Sequence, residues 1–151
     1  FTFSTTNESG QLPFVIEQKR WNVWMKVATI NGKGLEGKND YSIQLKPHSG
    51  KNIYRIKQVD HTRKPRYSPE KKLIKSSVKE VFIANENPLK IEGVVQFTDE
   101  SGNEVSTLYE VWNTTGVIIR KGFGSKVNLS DVEKGEYFVR YDNKTDQIKK
   151  I

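Results

Sequence analysis

Apolar residues recur at every second position, in short runs, through most of this 151-residue chain, and helical spacing is nearly absent. A period of two belongs to strands that bury one face, because successive side chains point to opposite sides of the sheet. Phe1 with Phe3, Phe14 with Ile16, Tyr41 with Ile43 and Leu45, and Tyr54 with Ile56 each read as the inward side of such a strand. Trp21, Val23, Met25, Val27 and Thr29 form one face of another run, and Trp24, Lys26 and Ala28 the other, with Lys19-Arg20 as the hairpin turn before it. Asn7-Glu8-Ser9-Gly10, Asn31-Gly32-Lys33-Gly34 and Pro47-His48-Ser49-Gly50 break the runs with residues that suit tight turns. Pro13 opens its strand, and Pro65 and Pro69 bracket Arg66-Tyr67-Ser68 as an edge strand, where a missing N–H is tolerated.

The second half restarts the pattern. Val81-Phe82-Ile83 is a strand, Asn85 to Pro88 a turn, and Leu89 to Phe97 a run in which Gly93 marks a bulge. Leu108, Glu110 and Trp112 oppose Tyr109 and Val111, Asn113-Thr114-Thr115-Gly116 turns into Val117 to Arg120, and the Gly122 to Lys126 stretch reads as a turn. Val127-Asn128-Leu129 is short, Tyr137 to Tyr141 returns through the core, and Asp142 to Thr145 turns into Gln147 to Ile151. Short strands at regular spacing predict an all-β fold of two small immunoglobulin- or fibronectin-like β-sandwiches in tandem, residues 1–76 and 77–151, joined near Lys75 to Lys79.

Composition narrows the chemistry. Cysteine is absent, which excludes disulfides, thiolate nucleophiles and cysteine-held zinc. No apolar run approaches the ~20 residues of a membrane-spanning helix. Phe1-Thr2-Phe3-Ser4 lacks the marks of a signal peptide, so an exported chain would be numbered from after its removal. A formal charge of +7 favours an anionic partner, such as nucleic acid, lipopolysaccharide, an acidic glycan or an acidic protein surface, although lysines scattered over polar strand faces also keep edges unpaired.

No catalytic set stands out, and neither an enzyme nor a cofactor is expected. His48 and His61 have no second ligand in metal-binding register. His48 beside Ser49 with a remote Asp makes a triad only on paper, since no nucleophile elbow surrounds it. Glu92, Asp99 and Glu100 read as solvated acids. Arg63-Lys64-Pro65-Arg66 could meet anions, with Trp24 as a partly exposed ring beside Arg63, Lys64 and Arg66. A nucleic-acid reader would interleave aromatics with basic residues on one face, and Trp21 on an apolar face argues for core packing instead.

Two stretches resemble known families. Leu45 to Ile56, with its Pro-His-Ser-Gly turn before Tyr54-Arg55-Ile56, resembles the part of fibronectin type III modules in which a tyrosine hydroxyl bonds upstream backbone. That resemblance implies the corner role for Tyr54, with Leu45 beneath it. Tyr109-Glu110-Val111-Trp112-Asn113-Thr114-Thr115-Gly116, then Val127-Asn128-Leu129-Ser130-Asp131-Val132-Glu133-Lys134-Gly135-Glu136-Tyr137-Phe138-Val139, then Lys149-Lys150-Ile151, resemble in order the C-terminal sorting domains of Bacteroidetes type IX secretion. The match covers about Val78 to Ile151. It departs from the family pattern at apolar Val117, which follows the hairpin glycine, and in an opening reduced to Asn87-Pro88.

The resemblance implies an exported, non-enzymatic protein delivered to the cell surface or outer membrane by the type IX machinery and its outer-membrane shuttle. Gly116, Leu129, Ser130, Gly135, Tyr137, Lys149, Lys150 and Ile151 would be the residues recognised, with Lys149 and Lys150 left in solvent. Leu129, Val132, Tyr137 and Val139 would supply a small core. The rival readings are a small structural component held permanently on an outer-membrane complex, and a surface adhesin for glycans or other polyanions. None involves nucleic acid or a membrane-spanning segment.

Overall fold

The computed structural model describes residues 1–74, 77–84 and 90–151. The turn read at Asn85 to Pro88, Leu89, and the Lys75-Ser76 part of the junction lie outside the described residues. Every regular element among the described residues is a strand. The chain divides into two compact units, Phe1–Pro47 with Lys51–Lys75, and His48–Gly50 with Ser76–Ile151.

In the first unit the strands are β1 (Thr2–Thr6), β2 (Pro13–Arg20), β3 (Val23–Asn31), β4 (Lys38–Ser42), β5 (Asn52–Val59), β6 (Pro65–Tyr67) and β7 (Lys71–Leu73). The large sheet runs β3-β2-β5-β6 with β7 also on β5, and β1 pairs with β4 as a second, two-stranded layer. Phe3 stacks on Tyr41 at 4.7 Å, and each meets Phe14 edge-on at 5.4 Å, so aromatic rings fill the space between the layers. Such edge and offset contacts suit the ring quadrupole and add to the area that the rings bury. Pro65–Tyr67 is an edge strand.

Three local expectations change here. The β2–β3 turn is Trp21-Asn22, both in the left-handed region (φ 51° and 63°), two residues later than Lys19-Arg20. Two successive positive φ values give the backward-twisting turn that two-residue hairpins require, so Trp21 is a turn residue and not part of a strand face. The run after it is not one uninterrupted alternation. Ile16 faces Ala28 and Glu17 faces Lys26, leaving Val27 as an extra, bulged residue. The bulge puts Ala28 on the face opposite Trp24 and Lys26, moves Thr29 to the side away from Met25, and leaves Val27 exposed. Tyr54 does not make a corner with upstream backbone. Its hydroxyl accepts from Gln18 Nε2 at 3.1 Å, and Gln18 also donates to Asn52 Oδ1 at 2.7 Å, all three groups being buried.

In the second unit the strands are β8 (Phe82–Ile83), β9 (Lys90–Ile91), β10 (Val94–Thr98), β11 (Thr107–Asn113), β12 (Ile118–Gly124), β13 (Lys126–Asn128), β14 (Gly135–Tyr141) and β15 (Lys144–Lys150). They form a five-stranded sheet, β12-β11-β14-β15-β9, and a three-stranded sheet, β13-β10-β8. The core draws on both sheets. Val95, Phe97, Val111, Leu129 and Val139 are fully buried in it, Tyr137 and Ile148 nearly so, and Val132 packs against it. Burial at about 25 cal/mol per Å² of apolar surface is what holds such layers together.

Gly93 is no bulge. It lies where the chain leaves β9 in one sheet for β10 in the other, and its carbonyl accepts from Leu129 N at 2.7 Å. Gly122 and Gly124 sit inside β12 and not in a turn. A Cβ on Gly122 would lie 2.9 Å from the Tyr109 hydroxyl, so the missing side chain makes room for that ring. The last turn shortens to Asp142-Asn143, and β15 begins at Lys144.

Candidate functional site

The residues singled out near the C-terminus occupy one unit and divide into interior and surface groups. Leu129 is fully buried, and Tyr137 donates its hydroxyl to the Glu133 carbonyl at 2.9 Å. A tyrosine bonding backbone four residues upstream is the corner that was expected of Tyr54, found here in the other half of the chain. Gly135, at φ 157°, opens β14 opposite Lys150. Gly116 (φ 83°) closes the β11–β12 hairpin, where Asn113 Oδ1 accepts from Thr115 N at 3.1 Å and Val117 N at 2.8 Å. Ser130 is exposed, its N–H held by Asn128 Oδ1 at 2.8 Å, and its hydroxyl fills the place that a Cβ on Gly93 would need.

The terminal strand corrects one expectation. β15 runs antiparallel to β14 and parallel to β9, with Lys149 opposite Lys90 and Lys150 opposite Ile91. Lys149 is exposed and Ile151 is 42% exposed, but Lys150 is only 7% exposed. Its ammonium donates to the Glu92 carbonyl and, at 3.1 Å, to the Ile151 carbonyl. Alternation along a strand forces neighbours to opposite faces, so Lys149 and Lys150 could not both be in solvent while the strand was covered on one side. The outward face of this sheet also carries a row that the sequence reading left unremarked. Trp112 faces Ile118 on one neighbour and Phe138 on the other, and Arg140 lies 4.8 Å from the Trp112 ring.

A second constellation lies on the first unit. Arg55 stands with its guanidinium carbon 4.1 Å from the ring centres of both Trp24 and Tyr67, and its Nε bonds Glu17 Oε2 at 2.6 Å. The cation is therefore clamped between two rings and oriented by a carboxylate. Trp24 is half-buried, as expected, but Arg63, Lys64 and Arg66 do not join it. Arg63 and Lys64 lie on the β5–β6 turn, and Arg66 pairs with Gln58, whose side of the sheet is that of Phe14. Sequence separation hid the Trp24–Arg55–Tyr67 stack, since its members come from three strands. Only the outward register of Trp24 and Arg55 could have pointed to it.

Of the groups weighed for catalysis, His48, Ser49, Asp142 and Asp99 are buried and bonded, while Glu92 and Glu100 are exposed. Asp142, Ser49 and His48 do come together in the second unit, all buried. Asp142 accepts from Ser49 N at 2.8 Å and from the Ser49 hydroxyl, while His48 Nδ1 sits 2.6 Å from the Ser49 carbonyl. A triad needs the imidazole between nucleophile and acid, and here the acid holds the serine directly. Asp99 is no solvated acid. Lys79 beside it at 3.1 Å, with N–H groups of Asn103 and Ser101, outweighs burial and holds its carboxyl down to about 2. His61 is exposed on a turn. Among the described residues no three His, Cys, Asp or Glu side chains cluster to hold a metal. No family model matches the chain, and no curated protein matches it.

Proposed function

We propose that residues 77–151 form a type IX secretion C-terminal sorting domain, and that the chain is an exported, non-enzymatic protein of a Bacteroidetes cell. The outer-membrane translocon or its shuttle recognises this domain and delivers the protein to the surface. One observation carries the reading. The three motif stretches, far apart in sequence, serve one unit as its hairpin (β11–β12), its core-filling loop and strand (Leu129 to Val139) and its terminal strand, with Lys149 and Ile151 at the surface. The buried members, Leu129, Tyr137 and Lys150, then shape the unit, and the exposed ones, Gly116, Ser130, Lys149 and Ile151, are available to a partner. Exposed Ile118 and Phe138, on either side of half-buried Trp112, suit a protein partner better than open solvent.

Deleting the last five residues would be a poor test, because Ile148 is fully buried and the deletion would unfold the sheet. Lys149→Glu combined with Ile151→Ser changes only exposed side chains and keeps the backbone groups of position 151 that Lys150 and Ile91 bond. In a type IX-competent host, with melting temperature unchanged, this variant is expected to accumulate in the periplasm. Normal surface delivery of the folded variant would overturn the assignment of these two residues.

A further inference from the structure

The net positive charge of this protein comes from one half. Residues 1–75 hold 15 Lys and Arg against 6 Asp and Glu, a net +9, and residues 76–151 hold 10 against 12, a net −2, which together give +7. Within the first unit, the register places much of that charge on the outer face of the large sheet. Lys57 lies opposite Tyr67, Lys26 opposite Glu17, Lys19 opposite Trp24, and Lys72 opposite Ile53, all on the side away from buried Phe14 and Ile16. Glu17 is the one carboxylate in these pairs, and Arg55 takes it up. Lys26, Lys57 and Lys72 have no ion-pair partner among the described residues.

We propose that this face binds an anionic polysaccharide, one bearing carboxylates or sulfates along its length. Adjacent strands lie about 4.8 Å apart and alternate residues along a strand about 6.6–6.8 Å apart, so Lys19, Lys26, Lys57 and Lys72 stand on one face within one or a few such steps of each other, on four strands. A polymer that repeats its charges can meet several of them at once, each contact adding to the others. The Trp24–Arg55–Tyr67 stack lies on the same face, among these lysines.

The test uses the full chain, alginate and heparin as probes, and single-stranded and duplex DNA as competitors, at physiological salt. Lys26→Glu/Lys57→Glu/Lys72→Glu is compared with Lys71→Glu/Lys121→Glu/Lys134→Glu, a change of equal charge at exposed positions, Lys71 on the other side of the sheet and the remaining two in the second unit. The first set is expected to weaken alginate and heparin binding more than tenfold, and the second less than threefold. A Lys→Gln version of the first set, with melting temperature unchanged, guards against misfolding and is expected to lose binding in the same direction. Equal losses from both sets, no binding by the unaltered chain, or DNA binding as tightly with the same dependence on the face would each overturn the proposal.

Discussion

At the scale of single residues, three hairpins share one design. Asp60, Asp99 and Asn113 each accept, through one side-chain oxygen, the N–H two and four residues on, and each has a left-handed residue between, Arg63 (φ 62°), Gly102 (φ 82°) and Gly116 (φ 83°). The backbone closes in the same way, as with Gly116 N to Asn113 O at 3.1 Å and Asn113 N to Val117 O at 2.9 Å. Glycine tolerates this conformation, and a side chain costs about 1–2 kcal/mol there. Gly116→Ala, which meets no neighbour within 4 Å, is therefore expected to lose about 1 kcal/mol from backbone strain alone. Arg63→Gly is expected to be neutral or to gain up to about 1 kcal/mol, once the added chain entropy of glycine is set against the relieved strain. Urea melts of the two variants check the pair, and equal losses from both would contradict it. Asn113-Thr114-Thr115-Gly116 and Asp99-Glu100-Ser101-Gly102-Asn103 both carry glycine and turn-forming residues, so these two turns show in the sequence itself. The third does not, because arginine at its left-handed position carries no turn signal.

Among the elements, β15 shows where alternation succeeds and where it misleads. Its pattern places Ile148 inward, and Ile148 is buried against the core. The same pattern makes Lys150 inward, and composition alone argued the other way because lysine is rarely buried. What reverses it is local: carbonyls of Glu92 and Ile151 receive the ammonium, and a lysine whose head is bonded can keep its long apolar stem out of water. Ile148→Ala is expected to cost about 2–5 kcal/mol, as buried aliphatic truncations do. Tyr137→Phe should cost about 0.5–1.5 kcal/mol for the lost bond to Glu133. Thermal or denaturant melts that rank the two in the opposite order would contradict this placement of the core. The bulge at Val27 and the chain crossing at Gly93 were illegible for a related reason. One extra residue in a strand, or a step between sheets, leaves composition unchanged and alters only which side each residue faces.

For the whole molecule, the all-β class follows from period-two patterning that runs through nearly every segment, and the structure has it. The candidate residues were legible to a different degree. Motif order located the hairpin, the core loop and the terminal strand, but the sequence alone could not separate residues that shape the unit from those that face a partner. Nor could it bring Arg55 and Tyr67 to Trp24, since cross-strand neighbours depend on register. The charge division between residues 1–75 and 76–151 is a property of the whole chain, and under the two proposals polyanion contact falls to the first half and delivery to the second. Delivery is the central claim, and the most direct measurement is protease shaving of intact cells expressing the full chain in paired type IX-competent and type IX-deficient strains. The account predicts a surface-accessible protein in the first strain and a periplasmic, protected one in the second. The same location in both strains would contradict it.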